Sequence, residues 1–335
     1  ESRLRGISDA ARHLLHYVAL LLPPVDLEML RKAPLYETAG IDSLLQECEE
    51  ALLLRVHRNA GVVGFAHDTI ESIARREAVQ RAGTVTEAFR LLLQAARAGD
   101  ERATFSLARL IVEEGGARPA AVGPADRADT FAGQGAVTPI ASSLTTEEAA
   151  EILLRASRRA LDLRLANQSR RFGETAIALL ERRGSSLSET KLQLHRVAHE
   201  AAYRMDDAHG MSHHFRRIRL MGSPLQINEA RQLWIGRAYA KSWFKGAERI
   251  GWEVIRDLGG IARGRHEGEL TRIAGSYLAR HRPEALYRKL LRTPPAEDPS
   301  ARLMIATAAR LLLPMLTVAP ERLPVLTYLI LRLSL

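Results

Sequence analysis

The sequence predicts an all-α protein, and three observations carry that reading. Hydrophobic residues make up 46% of the 335 residues but aromatics only 5%, and the abundance of Ala, Leu and Arg favours helices over the Val-, Ile- and Tyr-rich pattern of sheets. Apolar positions recur at helical spacing through most of the chain. In the second half, helix pairs return about every 35 to 40 residues, the signature of stacked two-helix units. A chain of this length exceeds what one core usually serves, so two or three packing units are expected.

The elements follow in order. Ser8 and Asp9 cap a first helix with apolar positions Leu14, Leu15, Val18 and Leu21, and Pro23-Pro24 stop it. A short helix starts at Asp26 and a third covers 41–54. Next comes Arg55-Val56-His57, the turn residues Asn59-Ala60-Gly61, and Val62-Val63-Gly64-Phe65, two β-prone runs flanking a turn. Three helices and this small hairpin make a winged-helix-like domain over residues 1–82. Connecting helices fill 83–114. Residues 115–143 are rich in Gly, Ala and Pro without an apolar period, and are expected to form a flexible linker or loop. From 144 to 335 amphipathic helices return, over 146–165, 172–183, 188–205, 209–221, 226–242 and 245–258. Within them Gly236, Tyr239, Gly246, Ala247, Gly251 and Val254 look like a degenerate tetratricopeptide repeat, small residues letting one helix approach the next. Prolines from Pro283 to Pro324 are expected to set helix starts and stops.

Charge and cysteine usage narrow the partners. The 48 Lys and Arg against 39 Asp and Glu give a net charge of +9, spread as Arg along helices instead of concentrated in one block. That favours an acidic partner over dedicated DNA reading. The single cysteine, Cys48, excludes an internal disulfide and sits in an amphipathic helix as an expected reduced core thiol, which fits a cytoplasmic protein. The apolar runs near Leu311–Leu316 and Leu323–Leu335 are short or broken by proline, so no membrane insertion is expected. The chain opens at Glu1 and stops inside an apolar helical pattern, and both ends are expected to continue in a longer polypeptide.

The string Val63-Gly64-Phe65-Ala66-His67-Asp68-Thr69-Ile70-Glu71-Ser72-Ile73-Ala74 resembles the end of the winged helix in bacterial STAND-class signalling ATPases, where a strand carrying F-x-H-D runs into a helix. The stretch from Ser188 through Gly259, with Ser223-Pro224-Leu225 between helix pairs and Asp257-Leu258-Gly259 after them, resembles the solenoid of large ATPase-containing sensor kinases. This implies a regulatory fragment of a multidomain signal-transduction ATPase or kinase. A P-loop domain upstream would bind ATP or ADP with Mg. No G-x-x-x-x-G-K-[ST], G-x-G-x-x-G or kinase motif set occurs in these 335 residues, so the fragment itself is expected to be no enzyme and to carry no cofactor.

The resemblance gives His67 a role: it reaches across to nucleotide phosphates and holds the closed, ADP-bound form, with Asp68 fixing its tautomer. The plain alternative is that Asp68 is an N-cap and His67 a packed strand-end residue. His195, His199, His209, His213 and His214 include pairs at i,i+4 spacing, yet without a convergent acidic set or H-E-x-x-H no metal site is expected. Arg158, Arg159, Arg164, Arg170 and Arg171, and later Arg216, Arg217 and Arg219, either line a solenoid surface for an acidic protein partner or effector or form an ordinary solvated face. The competing function is a winged-helix DNA-binding transcriptional regulator with a helical effector domain. Its recognition helix would carry Asp42, Glu47, Glu49 and Glu50 and no cation, which repels phosphate and makes DNA an unlikely partner.

Overall fold

The computed structural model describes residues 6–21, 23–31, 40–114, 144–182, 184, 187–259, 267–281, 285, 288 and 296–334. The expected linker over 115–143 and the prolines 283, 294 and 295 lie outside them. Helices dominate the described residues, as the composition predicts, and a small three-stranded sheet is the exception. Contacts divide the chain into two compact units, Glu1–Leu187 and Ser188–Leu335.

In the first unit, helix α1 (Asp9–Leu21) is the centre. Leu14, Leu15, Tyr17, Val18 and Leu20 are all buried, on more faces than one amphipathic stripe would cover. Ser8 starts the helix as expected, its hydroxyl oxygen accepting the Ala11 N–H at 3.1 Å. After Pro23-Pro24 come β1 (Val25–Asp26), α2 (Leu27–Arg31), α3 (Ile41–Glu50), β2 (Leu54–His57) and β3 (Val62–Phe65). The expected hairpin is β2–β3, with Gly61 at φ 64° supplying the left-handed turn residue. The sheet order is β1-β3-β2, all antiparallel, with Val25 and Val56 both opposite the buried Val63. Sequence reading missed β1, since two residues are too few to show alternation; Asp26, expected to open a helix, ends this strand and caps α2 by accepting the Glu28 N–H at 2.7 Å.

The remaining helices of this unit are α4 (Asp68–Val79), α5 (Ala82–Arg97), α6 (Glu101–Glu114), α7 (Thr146–Asp162) and α8 (Ala166–Arg182). Helices α3, α4, α5 and α6 pack around α1, which explains its burial. Cys48 on α3 is buried and its thiol donates to the Ala11 carbonyl at 3.6 Å. Burial, with the Glu47 charge adding, pushes its pKa up to about 12. Helices α7 and α8 pack on each other and on α6, so the solenoid start expected at 144 falls inside this first unit. Ser157 joins the pair, donating to the Ser169 carbonyl at 2.6 Å, and Phe105 meets Phe172 edge-on at 5.3 Å. Helix α8 begins at Ala166 instead of 172, because no proline or glycine interrupts 166–171.

The second unit holds α9 (Ser188–Arg204), α10 (Ala208–Met221), α11 (Pro224–Ala240), α12 (Phe244–Asp257), α13 (Glu267–Arg280), α14 (Pro299–Val318) and α15 (Leu323–Ser334). Ser223 opens α11 with a full capping box to Gln226, and Pro224 follows at the first turn, where its missing N–H costs nothing. The core is a series of local clusters: Leu192, Ile218 and Ala230; then Ile235, Ala238, Ala247 and Val254; then Ile255, Ala308, Leu311, Met315, Val325 and Leu326. The small residues do permit close approach. A Cβ on Gly251 would collide with Leu311 of α14, and one on Gly236 would lie 3.0 Å from the Tyr203 hydroxyl of α9. Tyr239, expected to fill a gap between turns, is instead 41% exposed and meets Phe244 edge-on at 5.8 Å.

Proline placement is mixed. Pro299 and Pro324 sit in the first turns of α14 and α15, whereas Pro314 lies inside α14 and does not end it. By length and composition α14 is apolar enough to cross a membrane, the one such helix among the described residues. It packs through Met304, Thr307, Ala308, Leu311 and Met315 onto α12, α11 and α15, while Leu313 and Leu316 are exposed.

Candidate functional site

The β3–α4 junction positions the first candidate. His67 has extended backbone (φ −150°, ψ 142°) and is the N-cap residue of α4, its carbonyl accepting the Ile70 and Glu71 N–H groups at 3.0 and 3.3 Å. Asp68 is therefore the first helical residue, not the N-cap, and no side chain caps this helix end. Both His67 and Asp68 are exposed, which also removes the packed strand-end reading of His67. Among the described residues neither side chain has a hydrogen-bond or ion-pair partner. The helix N-terminus beside them carries the positive end of the peptide dipoles, and Asp68 and Glu71 in the first turn complement it.

Three of the histidines are buried in the second unit, and two of them meet. His195 and His199, one turn apart on α9, face inward and are 4% and 1% exposed; His214 of α10 is 3% exposed. The Nδ1 atoms of His195 and His214 lie 3.1 Å apart, so one ring donates and the other accepts. Burial, joined by the nearby His213 and Arg217, lowers the His195 pKa to about 4. His199 sits between two backbone carbonyls, Met211 O at 3.0 Å from Nδ1 and Ala230 O at 3.2 Å from Nε2. A neutral imidazole has one N–H for these two acceptors. Burial keeps the His199 pKa below its usual value, with the two carbonyls pulling the other way. His209 and His213 are exposed. Among the described residues no three His, Cys, Asp or Glu side chains converge as metal ligands, so the junction is a buried polar brace between α9, α10 and α11.

The predicted arginine surface divides between the units. Arg158 and Arg159 on α7 are exposed, and Arg159 pairs with Glu101 at 3.3 Å; Arg170 pairs with Glu174 at 2.7 Å, one turn on. Arg171 borders a cavity of about 90 Å³ with Gln168 and Phe172. Arg216 and Arg217 are exposed on α10, in the other unit. The three tryptophans also stay apart among the described residues. Trp234 packs against His199 with ring centres 6.3 Å apart, Trp243 caps α12 and is exposed, and Trp252 packs against the α12–α14–α15 cluster.

Beside α3 lies a groove of about 790 Å³ with Asp26, Glu28 and Asp42 on its walls. Its two cations are engaged: Arg31 with Glu28 at 3.0 Å and Asp42 at 3.5 Å, and Arg58 with Glu49 at 3.1 Å. Sequence reading missed a second cavity, of about 360 Å³, between α13 and α15, lined by Arg272, Ser276, Tyr277, Arg280, His281 and Tyr328. Its sequence signal, Arg-x₃-Ser-x₃-Arg with Tyr-x₃-His on the same turns, follows the four-residue helical repeat.

Compared with protein-family models, curated proteins and solved structures, the chain matches none.

Proposed function

We propose that this chain is the regulatory and protein-interaction part of a multidomain signal-transduction ATPase of the STAND class. In this reading the N-terminal elements act as a winged helix that closes on a P-loop domain, and the helices after them act as a tetratricopeptide-like solenoid that senses an effector or partner. The observation that carries it is His67: an exposed imidazole at the strand-to-helix junction, without a side-chain partner among the described residues, beside the N-terminus of α4. An imidazole N–H there can donate to a phosphate oxygen, and the helix end favours the negative charge. ATP or ADP with Mg would be held by the P-loop domain, and the chain's own contribution is one donor that closes over the phosphates.

Two further features support a binding role. The outward side of α14 exposes Leu313 and Leu316 one turn apart, a surface suited to a protein partner. The buried histidines brace α9, α10 and α11. Such a switch requires that nucleotide and effector each bind the closed and open states differently. A cytoplasmic setting fits, since Cys48 is a buried, unpaired thiol. The test is nucleotide retention: in the protein carrying this chain and its P-loop domain, His67→Ala releases ADP faster and raises basal activity, while the chain alone hydrolyses no ATP. Unaltered ADP release in that variant sinks the sensor role.

The DNA-binding alternative is disfavoured by the groove beside α3, whose acids outnumber its cations and whose arginines are already ion-paired. A mobility shift at low salt with random duplex DNA separates the two readings.

A further inference from the structure

We infer that the cavity between α13 and α15 is a binding site for a small anion that carries a planar ring, of the nucleotide class. This goes beyond the ATPase reading and does not depend on it, since every residue used lies on these two helices or the turn after α13.

Three features of the cavity point the same way. Its charge is of one sign: Arg272 and Arg280 line it, and no acidic residue does among the described residues. Both arginines are exposed and neither has an ion-pair partner among the described residues. Unpaired, forked donors with no competing carboxylate are what phosphate recognition uses. Arg272, Ser276 and Arg280 follow each other at four-residue steps, which puts them on one face of α13 with the two arginine backbones about 12 Å apart.

The second feature is the aromatic wall. Tyr277 lies against His281 with ring centres 4.4 Å apart at 30°, and meets Tyr328 of α15 edge-on at 5.2 Å. His281 donates from Nδ1 to the Tyr277 carbonyl at 2.8 Å, which fixes its ring beside the tyrosine. Rings held this way offer a π-surface at little ordering cost, the platform on which nucleobases stack. The third feature is size. About 360 Å³ is at the small end of ligand cavities and suits one ring with one or two phosphates.

The test uses the chain itself with AMP and ADP as probes, read by ligand-observed NMR and calorimetry, alongside adenosine and inorganic phosphate as half-ligands. AMP or ADP binds with a Kd below about 1 mM, and each half-ligand binds at least about tenfold more weakly. Arg272→Ala and Arg280→Ala each weaken AMP about tenfold, and Tyr277→Ala weakens it about fivefold while Tyr277→Phe, which keeps the ring, does not. Circular dichroism confirms that each variant keeps its helices, and Arg272→Gln gives the charge-loss readout if Arg272→Ala unfolds. The inference is overturned if neither nucleotide binds at 5 mM, or if binding survives loss of both arginines. A hexaglutamate peptide that displaces AMP at equal concentration also overturns it, because charge alone would then suffice.

Discussion

Acidification should loosen the second unit through His195, and the size of the effect follows from its burial. Desolvation, aided by His213 and Arg217, lowers the His195 pKa from 6.5 to about 4. Between those values the unfolded chain binds a proton that the folded one refuses, so this contribution is whole above pH 6.5 and is lost as pH falls toward 4. At about 1.36 kcal/mol per pH unit, relative to pH 7, the loss is about 2 kcal/mol at pH 5 and about 3 kcal/mol at pH 4. With a urea slope of about 2 kcal/mol per molar, the midpoint drops by about 1 M between pH 7 and pH 5. The assay is simple because Trp234, Trp243 and Trp252, all three tryptophans of the chain, lie in this unit, so their fluorescence reports its unfolding. The comparison is His195→Asn, whose amide can keep the hydrogen bond to His214 Nδ1 but does not titrate. Subtracting its pH dependence removes the groups that do not touch His195, leaving His195 with its neighbours His213 and His214. Equal slopes for the two proteins between pH 6.5 and 4.5 would falsify the burial argument.

Other perturbations test the packing. Gly251→Ala puts a methyl into Leu311 and destabilises the second unit by about 1–3 kcal/mol, and adding Leu311→Ala relieves part of that overlap, so the double mutant falls short of the summed losses in urea melts. Ser157→Ala leaves the buried Ser169 hydroxyl without its 3.0 Å partner and costs about 1–2 kcal/mol, with circular dichroism following the first unit; a neutral result contradicts the α7–α8 bridge. Cys48 reacts with a disulfide reagent only upon unfolding, because burial and a raised pKa both deplete accessible thiolate, and rapid labelling of the native protein would show that α3 does not pack as described.

How far the fold was legible varied with the length of the signal. Helix α7 starts after Thr145 where sequence reading places it because capping chemistry is local, whereas α11 starts at Pro224, two residues before the expected 226, with Ser223 as its cap. The β2–β3 hairpin was legible from Asn59-Ala60-Gly61 between two Val-containing runs. Strand β1 was not, because its two residues pair with β3 only through tertiary contact. Pro314 misled: a proline usually ends a helix, but here packing on α12 and α15 holds the helix through it. For the candidate sites, sequence placed His67 at a strand-to-helix junction correctly, but not its backbone role as the capping residue. It paired the histidines by spacing, whereas the structure joins His195 to His214 across helices. The arginines of the α13–α15 cavity escaped notice because their neighbour Tyr328 is supplied from a different helix.

In the proposed function, these helices present surfaces to a nucleotide-bearing neighbour and to an effector, with His67 as the contact to phosphate. It is tested most directly by the ADP dissociation rate of the protein containing this chain and its P-loop domain, measured with a fluorescent nucleotide for wild type and His67→Ala. The expected result is release accelerated about tenfold, the loss of one charge-assisted hydrogen bond. Identical rates in the two proteins contradict the claim.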